Sequence, residues 1–383
     1  MDSWILGLVI LVVKLAAALT ILLLCAGYVV LVERKLLGRL QVRYGPNRAG
    51  PFGLLQPIAD AVKLIFKEEL TPAKADRILF FWAPVITMVP SIILAAAIPF
   101  GPQNVDLFGR KISLVVADIN VGVLYLMSIA SIAVYGIVLA GWSSNNKYAM
   151  LGGLRSSAQM ISYELSLGLM FVTAVILANS SMSLYDVVNS QKDVWFAIVQ
   201  PVGALVFLIV TLAEVNRAPF DMPEAEQELT AGYHSEYSGM KFALFFMAEY
   251  QKMIVISMIA ATLFFGGYRE IWLLKGTIFS VDRFWWWGPI YLLLKVIVLL
   301  FFMIWVRATW PRIRYDRLMA FGWKVLLPLS LAITFITATG IVLADYFHNQ
   351  LYYWAIPFVS VFLGLFTVVL IYRELRRKAY ERA

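Results

Sequence analysis

The chain has 383 residues, 61% of them hydrophobic and only 15% charged, with a formal net charge of +8 from 32 Lys and Arg against 24 Asp and Glu. Such a composition supplies too little polar residue to cover a water-soluble globule, and the chain is read as a single integral membrane domain over 1–383. One cysteine excludes a disulfide or a Cys-ligated iron–sulfur cluster within the chain, and the positive charge is assigned to topology and lipid headgroups because no nucleic-acid-binding module is found.

Apolar runs long enough to cross about 30 Å of hydrocarbon as helices recur along the whole sequence. They lie at 4–32, 79–99, 118–140, 157–178, 194–213, 240–266, 285–306, 323–345 and 352–372, which predicts an all-α polytopic protein of nine spans. The first run is too long for a cleavable signal peptide, and the charged segment behind it has no small-residue cleavage pattern. Lys and Arg concentrate in alternate loops, from Arg34 to Arg77, at Lys147 and Arg155, at Arg217 and Lys241, from Arg307 to Lys324, and from Arg373 to Arg382. By the positive-inside rule those loops are cytoplasmic.

In chain order, the first informative segment follows the first run, where Glu33, Arg34 and Lys35 lead into RLQVRYGPNRAGPFGLLQPIADAVKLIFKEE. Leu55, Ile58, Val62, Ile65 and Phe66 recur at helical spacing opposite Gln56, Asp60, Lys63 and Lys67. This segment is too short to span, so it reads either as an interfacial amphipathic helix with Pro57 in its first turn or as a helix packed on a soluble partner. Pro84, Pro90 and Pro99 mark kinks or ends, and Asp118 is placed as an N-cap of the third span. Glu164 lies inside the fourth span, where an ionisable residue costs about 2.5–3.5 kcal/mol and faces the bundle with a partner or a task. Gln159, Ser162 and Tyr163 are the candidate partners.

The stretch from Leu212 to Tyr250 follows, with Glu214, Asp221, Glu224, Glu226, Glu228 and Glu236 set against Arg217 alone. Clustered carboxylates repel one another and favour protonation as they approach lipid, which suits proton exchange; a solvated acidic loop is the simpler alternative. Glu249 sits within the sixth span with Lys252 one turn on, so an i,i+3 ion pair competes there with proton transfer. Lys295, in the seventh span, is expected to find an acid on another helix. Two histidines, His234 in a loop and His348 toward the opposite face, cannot jointly hold a haem, so any electrons are carried by another subunit.

VERKLLGRLQVRYGPNRAGPFGLLQPIADAVKLIFKEE, GLRSSAQMISYELSLGL, AEVNRAPFDMPEAEQELTAGYHSEYSGMKFALFFMAEY and RATWPRIRYDRLMAFGWKVLLPL resemble the signature segments of the H-subunit family of bacterial NADH:quinone oxidoreductase, respiratory complex I. The resemblance covers essentially the whole chain and implies a membrane subunit of a proton-translocating oxidoreductase, catalytic only in the assembly, in the bacterial cytoplasmic membrane. It implies quinone as substrate, and loops 33–78 and 214–239 forming the quinone chamber and coupling region. Its partners would be a peripheral-arm subunit carrying the terminal iron–sulfur cluster, small membrane subunits, antiporter-like subunits and membrane lipids. By the same resemblance Glu33, Arg34, Arg43, Asp60, Arg217 and Phe220 match positions at the quinone cavity, and Glu164, Glu214, Glu224, Glu226, Glu228 and Glu249 match the acidic proton path. The ninth span departs from members that end after eight. One alternative is the equivalent subunit of a complex fed by ferredoxin or another donor. The other, a stand-alone secondary transporter, predicts inverted repeats and breaks within spans, neither of which the sequence reveals.

Overall fold

In hydrocarbon every backbone N–H and C=O must be satisfied within its own segment, so apolar runs of this length fold as helices. The computed structural model describes residues 2–103, 105–107, 110–221 and 232–380, and among these eight helical segments are long and apolar enough to cross a bilayer. They are α1 (Asp2–Leu40), α3 (Arg77–Ala95), α4 (Gly122–Ser143), α5 (Lys147–Leu177), α9 (Gly239–Phe264), α10 (Trp287–Thr309), α11–α12 (Tyr315–Phe321 and Leu327–Tyr346) and α13 (Gln350–Tyr380). A π-turn at Gly322–Leu326 joins α11 to α12, and the short α2 (Gln56–Ile65) and α6 (Leu184–Ser190) lie in connections.

The remaining run, read as one span over 194–213, is broken. Helices α7 (Phe196–Val199) and α8 (Pro201–Glu214) meet at Gln200, whose φ of −132° and ψ of 70° are not helical. Pro201 is the physical cause, because the residue before a proline is driven out of the α region. The expectation that no span contains a break is therefore wrong at this position. A two-stranded hairpin, Val105–Leu107 against Arg110–Ile112, is the one sheet among the described residues.

Contacts between loops separate into two sets, one at each end of the bundle. At the basic face Asp76 N donates to Ser143 O at 3.1 Å, Leu70 N to Ser238 Oγ at 3.0 Å, and Ile313 N to Pro219 O at 3.1 Å. At the opposite face Lys14 Nζ donates to Ser113 O at 2.7 Å, Val123 N to Met182 O at 3.0 Å, and Gly266 N to Gln191 Oε1 at 2.9 Å. The core between them runs through α4, α5, α8, α9 and α10. Leu292, Val296, Leu299, Leu300 and Met303 of α10 are buried, while Leu293, Leu294, Ile297, Val298 and Phe301 face outward. An apolar outer face of that extent matches a lipid solvent rather than water.

Two side chains are placed differently from expectation. Helix α4 begins at Gly122, and Asp118 accepts from Gln103 Nε2 at 2.9 Å instead of capping it. Lys295 makes its hydrogen bonds to carbonyls, donating to Gly267 O at 2.8 Å and Arg269 O at 2.7 Å with the Trp195 ring 4.7 Å away, and the acid that acts on its charge is Glu270 of a loop rather than one on another helix.

Candidate functional site

Helix α8 ends near the basic face in a left-handed turn. Asn216 has φ 55°, Asn216 N donates to Ala213 O at 3.2 Å and Arg217 N to Leu212 O at 3.2 Å, a pairing that satisfies the last carbonyls of the helix. This turn aims Arg217 inward, where it is 3% exposed. Its Nη1 donates to Glu33 Oε1 at 2.8 Å, its Nε lies 2.7 Å from Glu249 Oε1, and its guanidinium carbon is 4.4 Å from the centroid of the Tyr250 ring. Glu33 is available because α1 stays helical past its apolar run, and Arg307 from the last turn of α10 pairs with the same Glu33 oxygen. Two carboxylates and two guanidiniums thus meet in a quartet in which Glu33 and Arg217 are buried and Glu249 and Arg307 are half-buried. Burial opposes the charge on Arg217, but Glu249 and Glu33 outweigh it and hold the guanidinium above its ordinary pKa.

One turn further along α9, Lys252 pairs with Glu214 at 2.7 Å, not with Glu249 as the i,i+3 spacing suggested. The cause is competition: Arg217 already engages Glu249, and Glu214, the last residue of α8, faces Lys252 across the helix interface. Glu214 is 2% exposed, and its Oε2 is buried without a hydrogen-bond partner among the described residues. Glu214, Lys252, Thr211 and Glu164 line a cavity of about 30 Å³ whose other walls are apolar, among them Leu126, Leu167, Phe171 and Phe207. Glu164 accepts from Ser131 Oγ of α4, and the three candidate partners are engaged elsewhere. Gln159 Nε2 donates to Phe220 O at 2.8 Å, Tyr163 OH to Leu318 O at 3.0 Å, and Ser162 Oγ accepts from Trp323 Nε1 at 3.2 Å.

The six residues matched to the quinone cavity fall into separate places. Glu33 and Arg217 belong to the quartet. Arg34, the next residue of α1, turns toward α2 and pairs with Asp60 at 2.7 Å, where Gln56 Nε2 also donates at 3.1 Å. No residue of α2 is buried; Leu55, Ile58, Val62 and Ile65 keep an apolar face exposed, as the amphipathic spacing predicts. Arg43 lies beyond the end of α1, donating from Nε to Gln41 Oε1 at 2.8 Å, and lines an open cleft of about 470 Å³ with Lys35, Arg39 and Tyr44. Phe220 is 2% exposed and packs 5.6 Å from the Tyr163 ring, in the core.

Glu224, Glu226 and Glu228 lie outside the described residues. On either side of that stretch, Asp221 accepts from Arg312 Nη2 at 3.0 Å and Glu236 from Asn146 Nδ2 at 2.7 Å. His234, whose ring lies 3.8 Å from that of Tyr233, is pushed down to about 3 by burial. Sequence reasoning missed Arg307, Arg312 and Ser131 as partners of these acids. The arginines carried a signal that was spent on topology; a Glu at the end of an apolar helix needs a cation, and Arg307 ends another.

The chain matches the family model described as NADH dehydrogenase over residues 13–338. It is 49% identical over 346 residues to the second H subunit of NADH-quinone oxidoreductase from Syntrophobacter fumaroxidans, covering 89% of this chain and 98% of that protein. It is also 46% identical over 347 residues to the NADH-quinone oxidoreductase H subunit of Syntrophotalea carbinolica, covering 89% and 99%. The corresponding H subunit of Rhodospirillum centenum is 49% identical over 337 residues, covering 88% and 95%.

Proposed function

This chain belongs to the NADH dehydrogenase family, among the H subunits of NADH-quinone oxidoreductase, and from that premise we propose that it forms part of the quinone chamber and couples quinone reduction to proton translocation. The observation that carries this reading is the succession of buried and half-buried ionisable groups from Glu33 through Arg217 and Glu249 to Lys252, Glu214 and the cavity holding Glu164. Quinone enters between α1 and α9 above α2, and these three elements are in mutual contact. Arg34, Asp60 and Arg43 lie on the polar side of that entrance and orient the headgroup. Phe220 lies behind it, on the turn that carries Arg217.

Electrons arrive from an iron–sulfur cluster of a neighbouring peripheral-arm subunit, and reduction places negative charge and a demand for protons beside the quartet. Opposite charges set the protonation of buried carboxylates, so new charge at Glu33 redistributes protons among groups that titrate as a coupled set. By the family resemblance Glu224, Glu226 and Glu228 belong to the same acidic path, and Glu164 passes protonation toward small membrane and antiporter-like subunits. The assembly lies in the bacterial cytoplasmic membrane.

Arg43→Ala and Asp60→Asn test the chamber. Each assembled mutant complex is expected to reduce an artificial acceptor at the normal rate and to be slow with quinone. Full quinone activity in both would remove these residues from the chamber.

A further inference from the structure

We propose that Lys252 is a shared counter-ion for Glu214 and Glu164, so that the two carboxylates hold one proton between them and the ammonium moves toward whichever has released it. The inference rests on the coupling role proposed above and names the group that governs it. Lys252 is a positioning residue in this account, since it transfers no proton itself.

Among the described residues the groups facing the cavity are few. Helix α8 contributes Glu214 and Thr211, α5 contributes Glu164, α9 contributes Lys252, and α4 brings the Ser131 hydroxyl onto Glu164. The remaining lining side chains are apolar, including Leu94 of α3. Glu249, one turn from Lys252, is held by Arg217 and does not enter the cavity lining. Among the described residues the lining thus holds two carboxylates and one ammonium, which pairs with Glu214. With both ionised the site carries a net negative charge against apolar walls, whereas one ionised and one protonated leaves it neutral. Like charges sharing one site resist joint ionisation, and the pair then titrates as a unit.

Geometry supports exchange between the two acids. Among the described residues, Lys252 holds one oxygen of Glu214 at 2.7 Å, the other Glu214 oxygen is buried without a hydrogen-bond partner, and Glu164 receives the Ser131 hydroxyl. The cavity volume is about 30 Å³, against about 10–15 Å³ for one water, so about two waters fit between the groups. A proton step breaks the O–H bond of one carboxyl and forms that of the other through this water, and charge balance draws Lys252 the opposite way. A lysine suits the task because its ammonium is a compact charge on a flexible stem with rotatable donors.

The test uses the intact complex in vesicles, with quinone reduction and proton translocation followed against pH for K252Q, K252R and E164Q. Without the cation both carboxylates hold their protons more tightly, so a free acceptor forms only at higher pH. K252Q is therefore expected to shift the pH optimum alkaline by about one unit or more, a tenfold loss near neutrality, while K252R, which keeps the charge, leaves the optimum in place. In the wild-type complex, infrared difference spectra should contain one exchangeable carboxyl carbonyl band that disappears in both E164Q and E214Q. Absence of that band overturns the proposal even if K252Q fails to assemble. An unshifted profile in K252Q while E164Q is inactive overturns the shared counter-ion alone, whereas a fully active E164Q overturns the coupling reading beneath it.

Discussion

Arg217 and Arg307 together neutralise Glu33 and Glu249, so removing one guanidinium leaves an uncompensated buried charge, a change that costs about 3–5 kcal/mol in comparable sites. Arg307→Met is expected to lower the melting midpoint of the purified complex, and adding Glu33→Gln to it should restore much of the loss, because Arg217 and Glu249 then balance alone. Additive losses in the double mutant would contradict a coupled quartet. His234 gives a pH-dependent counterpart outside the membrane spans. Burial lowers its pKa from 6.5 to about 3, so the folded state favours the neutral ring. That contribution to stability is present above pH 6.5 and is lost as pH falls from 6.5 toward 3. His234→Phe, placed among Tyr233, Phe242 and Phe245, should flatten the pH dependence of the melting midpoint in that window. An unchanged slope would assign the acid sensitivity to other groups.

Helix α13 lies beyond residue 338, where the family match ends, and packs on α7, α8 and α12. It covers the broken span around Gln200, which is itself fully buried and whose Nε2 donates to Thr337 Oγ1 at 3.2 Å. Close approach between α12 and α13 depends on Gly340, where a Cβ would lie 2.5 Å from Ile356 Cγ1. Gly340→Leu is expected to push α13 away and lower the melting midpoint, with quinone reductase activity per assembled complex unchanged. An equal fall in specific activity would give α13 a part in turnover. The spans themselves were legible, because apolar length and basic flanks suffice to place a membrane helix. The break at Gln200 was not, since Pro201 sits inside a run that remains apolar throughout. The amphipathic α2 was legible from spacing alone, down to Pro57 in its first turn.

At the scale of the whole chain, the sequence shows which ionisable groups are too costly to be idle but not which ones meet. Glu33 and Arg217 stand 184 positions apart and Glu33 and Arg307 stand 274 apart, so their pairing follows from helix packing that no local pattern records. Local spacing misled at Lys252, which chose Glu214 over Glu249. The pairings together run from the basic face to Glu164, and the account stands or falls on whether Glu164 must release a proton. Gln keeps the size and hydrogen bonding of a protonated Glu without titrating, whereas Asp keeps the titration and loses one methylene. If Glu164 only held helices together, Gln would be the better replacement, since an uncharged amide is cheaper in hydrocarbon than a displaced carboxylate. The decisive measurement is quinone reductase rate and proton translocation in vesicles for Glu164→Gln and Glu164→Asp, normalised to assembled complex. The account predicts that Gln slows both by tenfold or more, about 1.4 kcal/mol in the barrier, while Asp retains much of each; Gln at near wild-type rates in both assays would contradict it.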